Sequence, residues 1–390
     1  MTVYVLGAGA SYPIYPLARN LLGEISAYIE SCGPCFNRFD YDKWPEILKW
    51  LAESPNPLLR EAYHASNLEQ IFTMLDLAVE IHEQSQIAVL AASKQGIEEV
   101  NATLAHHKSV SPDLTEYEAI RNKLLWATEH YFEYRHHEDL NGKPPSDWAV
   151  LEEFGQLLAE GDVVITFNYD STIERVLRKQ GKWSPSDGYG LPVIFQKSRH
   201  DKTRVEFPNS KIKILHLHGT IGWYRKPHNR SDYPLSDDAA FPAEALSPGL
   251  FENSISLDPL FLQDMGILLE VDASLPDPPS LEYKVLLAPS FLKDYEAAPV
   301  FSQIWKMAGE ALRKASKIVI IGYSLPPADS AAMTLLLSNC EPNKVEVVNR
   351  SASVLERYRR LLKLPVLPPK RTLSQWLEHL RKRAGSTVKV

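Results

Sequence analysis

Three groups of residues in this chain have the types and spacing to do chemistry. His218 closes the run Lys213-Ile-Leu-His-Leu-His-Gly-Thr220. Ile212, Ile214, His216 and His218 alternate on one face of a strand, and Gly219 then releases the backbone. A histidine at a strand end is either a buried, satisfied side chain or a group that takes a proton near neutral pH. Asn168 and Asp170 end a second apolar run, Val163–Phe167, just before a helix. One of them reads as a helix cap, but capping does not use two such groups. The third group is Gly7-Ala8-Gly9-Ala10-Ser11, which follows the short apolar run Val3–Leu6. Small residues between a buried strand and a helix let backbone N–H groups approach a pyrophosphate. The full G-x-G-x-x-G pattern is absent, because position 12 is Tyr12.

These groups need a scaffold that brings strand ends together. Lys317–Ile321 is a further strand, ending in Gly322-Tyr323-Ser324-Leu325, with Asp329 close behind. Lys344–Val348 is another and ends at Asn349, and helical patterns separate the strands. Such alternation predicts an α/β fold with a doubly wound parallel sheet, whose ligand edge lies at the carboxyl ends of the strands. Ser324, Asp329 and Asn349 would join Asn168 and His218 there.

Between the first two strands, residues 31–158 read as a mostly helical insertion. Ser66-Asn67-Leu68-Glu69 resembles a capping box. Leu68, Ile71, Phe72 and Leu75, then Tyr117, Ile120, Leu124, Ala127 and Tyr131, recur at helical spacing as packing faces. Residues 1–30 with 159–390 would form the α/β domain. Residues 223–283 are proline-rich and irregular, as lids and interface segments are. Cys32-Gly-Pro-Cys35 has redox spacing but sits after a helix rather than at the start of one. His216-x-His218 has strand spacing for a metal pair, but no further ligand follows.

At 390 residues the chain has room for two domains, or for one with an insertion. Three cysteines exclude a disulfide framework. With no basic leader and no apolar run long enough to span a bilayer, the expected compartment is the cytoplasm, away from membranes. A net charge of −7 gives no general attraction to nucleic acid. From Arg350 onward, eleven Lys or Arg stand against Glu356 and Glu378, so residues 350–390 carry +9 and the remainder −16. Such a basic tail is either a docking surface or the solvated face of terminal helices.

In this order, Gly7–Ser11, Thr166-Phe167-Asn168-Tyr169-Asp170, His218-Gly219-Thr220, Gly322-Tyr323-Ser324-Leu325 and Val348-Asn349 resemble the NAD-binding motifs of sirtuins. Residues 286–295 and 318–329 look like the bacterial sirtuin-like branch, which includes NAD-hydrolysing effectors of anti-phage defence. The resemblance covers about two thirds of the chain and implies a Rossmann-like fold with NAD+ as substrate. It implies that Gly7, Ala8, Gly9, Ala10 and Ser11 hold the pyrophosphate, that Thr166, Phe167, Gly322 and Asp329 line the nucleotide site, and that Ser324 and Asn349 hold the adenosine half. Asn168 would orient the nicotinamide ribose and the attacking water, His218 would be the general base, and Asp170 would support the pocket electrostatically. The four-cysteine zinc ribbon of the protein deacylases has no counterpart, since residues 220–320 contain no cysteine. No zinc is therefore expected, and Phe167 stands where deacylases carry Gln. The expected activity is NAD+ glycohydrolysis; the alternative is a nucleotide sensor without turnover. The helical insertion, the irregular segment and the basic tail offer surfaces for a homo-oligomer or an activating partner, and the resemblance implies relatives that work beside a HerA-type ATPase or another defence protein.

Overall fold

The computed structural model describes residues 1–12, 14–32, 44–79, 114–141, 148–191, 193–194, 209–225, 255–257, 283–286, 299–326 and 329–387. The chain divides into two compact units, one built on Met1–Tyr15, Phe132–Leu287 and Asp294–Val390, the other on Pro16–Tyr131.

The first unit is organised on five parallel strands: β1 (Thr2–Leu6), β2 (Val163–Thr166), β4 (Lys213–His216), β8 (Lys317–Ile321) and β9 (Val345–Val348), in the order β4-β2-β1-β8-β9. β1, β2 and β8 are continuous β-branched and apolar runs, buried along almost their whole length, as strands covered on both faces must be. The chain winds outward from β1 through β2 to β4, then returns to the other side of β1 with β8 and β9. With right-handed crossovers that reversal puts helices on both faces and opens a crevice beyond the ends of β1 and β8. This is an α/β, Rossmann-like doubly wound fold.

A second sheet in this unit has the order β3-β6-β5-β7, from β3 (Val193–Ile194), β5 (Gly219–Arg225), β6 (Ile255–Leu257) and β7 (Tyr283–Leu286). β7 pairs antiparallel with β5, so this strand stands outside the parallel sheet. Gly219, at φ +78°, lets the chain turn straight from β4 into β5. Of the proline-rich stretch 223–283, only residues 223–225, 255–257 and 283 are described; residues 33–35 of the C-x-x-C and residues 288–295 also lie outside the described residues.

The segment from Arg350 onward folds on the first unit. Helices Ala352–Leu361 and Leu373–Thr387 bury Leu355, Tyr358, Leu373, Trp376 and Leu377. Trp376 Nε1 donates to Glu346 Oε1 at 2.7 Å on β9, and Arg381 pairs with Glu153 at 2.9 Å. Much of its positive charge is thus the outer face of packed helices. No helix among the described residues is long and apolar enough to cross a membrane.

The second unit is helical. Its described helices include Ala18–Cys32, Trp44–Glu53, Pro57–His64 and residues 68–79. Leu68, Ile71, Phe72, Leu75, Tyr117, Ile120, Leu124, Ala127 and Tyr131 are all buried, so the expected stripes are core. The cap before residue 68 is shifted by one. Ser66, at φ +51°, terminates the preceding helix, and Asn67 Oδ1 accepts from Gln70 N at 3.1 Å.

Candidate functional site

The crevice is built where the ends of β1 and β8 lock together. Gly7 N donates to Ile321 O at 3.1 Å and Gly9 N to Gly322 O at 3.0 Å. A Cβ on Gly7 would stand 2.5 Å from Tyr323 Cα, one on Gly9 2.8 Å from Gly322 O, and one on Gly322 2.3 Å from Ala10 N. Gly322 also needs φ +64°. Glycine is therefore required by the contact between the two strand ends, before any ligand is considered. Ala10 N turns back to Gly7 O at 2.8 Å, so the amides of Gly7, Gly9 and Ala10 are committed to protein carbonyls. Ala8, the first residue of the short helix Ala8–Ser11, is exposed, and its N–H has no intrahelical acceptor.

Asn168 reaches across to this turn from the end of β2. Its Nδ2 donates to Gly7 O at 3.2 Å and to Ser11 Oγ at 3.0 Å, while its backbone N–H donates to Thr166 Oγ1 at 3.1 Å. Asp170 stands one residue before Ser171, the N-cap of helix Thr172–Lys179, and braces the start of that helix. Its Oδ1 accepts from Thr172 N at 3.1 Å at the start of helix Thr172–Lys179, from Thr172 Oγ1 at 2.5 Å and from Ser11 Oγ at 3.2 Å. Burial pushes the Asp170 carboxyl above its ordinary range, against the pull of the Thr172 and Ser11 hydrogen bonds. Of the two polar strand-end residues, Asp170 braces the start of the helix and Asn168 is left to serve the crevice.

The two histidines of the central run part company. β4 ends at His216, and Leu217 and His218 form a turn. His218, 7% exposed, lies with Nε2 3.3 Å from Asp329 Oδ2. The same Asp329 oxygen accepts the Tyr323 hydroxyl at 2.5 Å. Phe167 stacks on Tyr323 with ring centroids 4.1 Å apart and meets the His218 ring edge-on at 5.1 Å. Tyr169 sits 6.3 Å from the same ring. The residues on either side of Asn168 thus both lie against His218. His216 is fully buried and faces another way. Its Nε2 is 2.5 Å from Glu174 Oε1 and its Nδ1 is 3.2 Å from the Asn168 carbonyl oxygen. With both ring nitrogens engaged, His216 does not form a metal pair with His218. Among the described residues no group of three or more His, Cys, Asp or Glu could hold a metal ion.

At the far side, Asn349 Nδ2 donates to Tyr323 O at 3.4 Å and its Oδ1 accepts from Ser351 N at 2.9 Å. Ser324 is exposed at the end of β8, its carbonyl held by Arg357 Nη1 at 3.0 Å. Sequence reasoning assigned no role to Glu174 or to the side chain of Tyr323. A glutamate in an amphipathic helix reads as a solvent-facing residue, and only the histidine 42 positions away reveals otherwise. Tyr323 was within reach, as the large residue inside a Gly-Tyr-Ser turn.

No family model matches the chain, and no curated protein sequence does. Among solved structures the chain is similar to a mutant of a Sir2 homologue in complex with ADP-ribose, at 13% identity and a TM-score of 0.29, covering 66% of this chain and 75% of that one.

Proposed function

We propose that the protein is an NAD+ glycohydrolase that breaks the nicotinamide–ribose bond to give nicotinamide and ADP-ribose. One observation carries the reading. At the carboxyl edge of a doubly wound sheet, the carboxamide of Asn168 is held on the turn after β1, while its two chain neighbours, Phe167 and Tyr169, lie against the ring of His218, whose Nε2 is 3.3 Å from Asp329. The resemblance of these strand-end motifs to those of sirtuins supplies the substrate class. NAD+ carries a cationic leaving group, so its cleavage needs no acid on the leaving atom, unlike ordinary glycoside hydrolysis. It needs a held dinucleotide, a sheltered oxocarbenium-like transition state and a placed nucleophile.

In this reading Asn168 exchanges a bond to Gly7 or Ser11 for the ribose or the attacking water. Asp329, 3.3 Å from Nε2, favours the imidazolium that forms as His218 takes a proton from water or a ribose hydroxyl. The Phe167–Tyr323 stack excludes water from one side. Asp170 holds Ser11 and the start of the helix behind it. Ser324 and Asn349 take the adenosine half, and the Gly7–Ser11 turn takes the pyrophosphate, with Ala8 its exposed amide. An enzyme that consumes NAD+ needs restraint. We therefore place it in a homo-oligomer or beside a partner such as a HerA-type ATPase of anti-phage defence, which light scattering on the purified and co-expressed protein tests.

The second reading is a sensor that binds NAD+ or an ADP-ribose-like nucleotide without turnover. Its support is that the Asn168 amide is already bonded to Gly7 and Ser11. His218→Ala separates the two. In a hydrolase it abolishes nicotinamide release while NAD+ still binds; in a sensor there is no release to lose.

A further inference from the structure

A fully buried ionisable pair near the site has no part in the hydrolysis itself. Glu174 and His216 are both fully buried, 2.5 Å apart, on helix Thr172–Lys179 and at the end of β4. Glu174 Oε1 also accepts the Tyr189 hydroxyl at 3.3 Å, while Glu174 Oε2 has no hydrogen-bond partner among the described residues. Tyr189 and Trp223 close the surroundings with rings 5.9 and 5.5 Å from the imidazole. A buried ion pair with an unsatisfied oxygen is a poor device for stability, since apolar side chains of the same volume usually do as well or better. Its geometry offers another use. The second nitrogen of His216 points at the Asn168 carbonyl, 3.2 Å away. Asn168 is thereby held by three elements: its carbonyl by β4, its N–H by Thr166 of β2 and its carboxamide by the turn after β1.

We propose that Glu174 and His216 are positioning residues for Asn168: Glu174 keeps His216 in its doubly donating imidazolium form, and Nδ1–H of that ring fixes the Asn168 backbone so that its carboxamide points into the crevice. The inference rests on the hydrolase reading for its kinetic consequence, but its structural content stands apart from it. The ionisable groups facing His216 are Glu174 and Tyr189, with Asp170 acting at longer range. Burial alone would lower the His216 pKa, but the charge and hydrogen bond of Glu174, joined by the Asn168 carbonyl and Asp170, raise it overall. The donating form is therefore held to higher pH than in a free histidine and is lost as pH rises through the raised value. Tautomer and carbonyl contact then cease to be fixed.

Glu174→Gln tests this, since it keeps the shape and removes the charge. Two readouts are taken on the full chain. Nuclear magnetic resonance of asparagine-labelled protein, with the Asn168 carboxamide assigned through Asn168→Ala, follows that carboxamide against pH. In the wild type its signals move with the titration of His216, and in Glu174→Gln the midpoint falls to lower pH. Kinetics with NAD+ give the second readout: kcat falls roughly 10- to 100-fold, KM changes far less, and the alkaline limb of the kcat profile moves down in pH. His216→Gln, which offers a neutral donor to the carbonyl, restores part of kcat relative to His216→Ala and flattens that limb. Asn168 signals that ignore the titration, or a Glu174→Gln midpoint and profile equal to wild type, overturn the inference. Were wild type to show no turnover, the hydrolase reading alone would fall, and the carboxamide titration would still decide this one.

Discussion

Replacing Gly322 by alanine tests the interlock on which the crevice is built. Two separate costs are readable from the structure. An alanine at φ +64° pays for the left-handed conformation, about 1–2 kcal/mol. Its Cβ would also stand 2.3 Å from Ala10 N and 2.4 Å from Gly9 C, both backbone atoms that cannot swing aside. Forcing the two strand ends apart adds about 1–3 kcal/mol, the usual range for overpacking. Gly161 supplies the control, because it has φ +85° and no atom within 4 Å of where a Cβ would stand. Gly161→Ala therefore carries the conformational cost alone. Scanning calorimetry of the two variants and wild type at one pH should show Gly322→Ala melting lower than Gly161→Ala by roughly 2–5 °C. Gly322→Ala should also weaken NAD+ binding, because Gly9 and Ala10 are the residues it displaces. Equal melting points for the two variants would refute the claim that β1 and β8 meet through glycine contact.

Three further outcomes follow from the same geometry. Asp329→Asn should lower kcat by roughly 10²–10⁴-fold with little change in melting point, because the Tyr323 hydroxyl can donate to the new amide oxygen; steady-state kinetics and calorimetry check it. Deleting everything after Lys363 removes the buried side chains of Leu373, Trp376 and Leu377. At about 1.5–3 kcal/mol each this approaches the whole margin of a domain, so the truncated chain should be insoluble or unfolded by circular dichroism rather than merely unable to assemble. Asp170 has a folded pKa raised by burial, so the stability it gives is present at low pH and lost as pH rises through the folded value. Asp170→Asn should gain on wild type in urea unfolding at pH 8 and lose that advantage toward pH 4; an advantage that grows toward acid would contradict the burial argument.

The strands of the parallel sheet were legible because burial on both faces demands unbroken apolar runs. Val3–Leu6 and Lys317–Ile321 stand in the sheet as read, while Val163–Phe167 and Lys344–Val348 do so over Val163–Thr166 and Val345–Val348. The polar residues that end them were legible for the same reason, since a run that stops on Asn168 or Asn349 marks the edge. What sequence could not carry is the partner of each group. Period-two alternation put His216 and His218 on one face, yet the strand ends between them and sends one to Glu174 and the other to Asp329. Asp329 read as a nucleotide contact, and the structure places it against the general-base candidate. The glycines of residues 7–11 read as space for a phosphate, and the structure adds a second reason for Gly7 and Gly9, the close approach of Tyr323 and Gly322. Each of these facts depends on a residue distant along the chain or on the point where a strand turns, and neither leaves a local signature. The basic C-terminal charge was visible as a number, but Trp376 and Leu377 among those charges were the sign that the segment packs.

The most direct test of the central claim is nicotinamide release, followed by chromatography of NAD+ incubated with the purified wild-type protein, alone and with any co-purifying partner. The account predicts nicotinamide and ADP-ribose in equal amounts, formed by wild type and by neither Asn168→Ala nor His218→Ala. NAD+ that binds but emerges intact under every condition would contradict the hydrolase and leave a nucleotide sensor in its place.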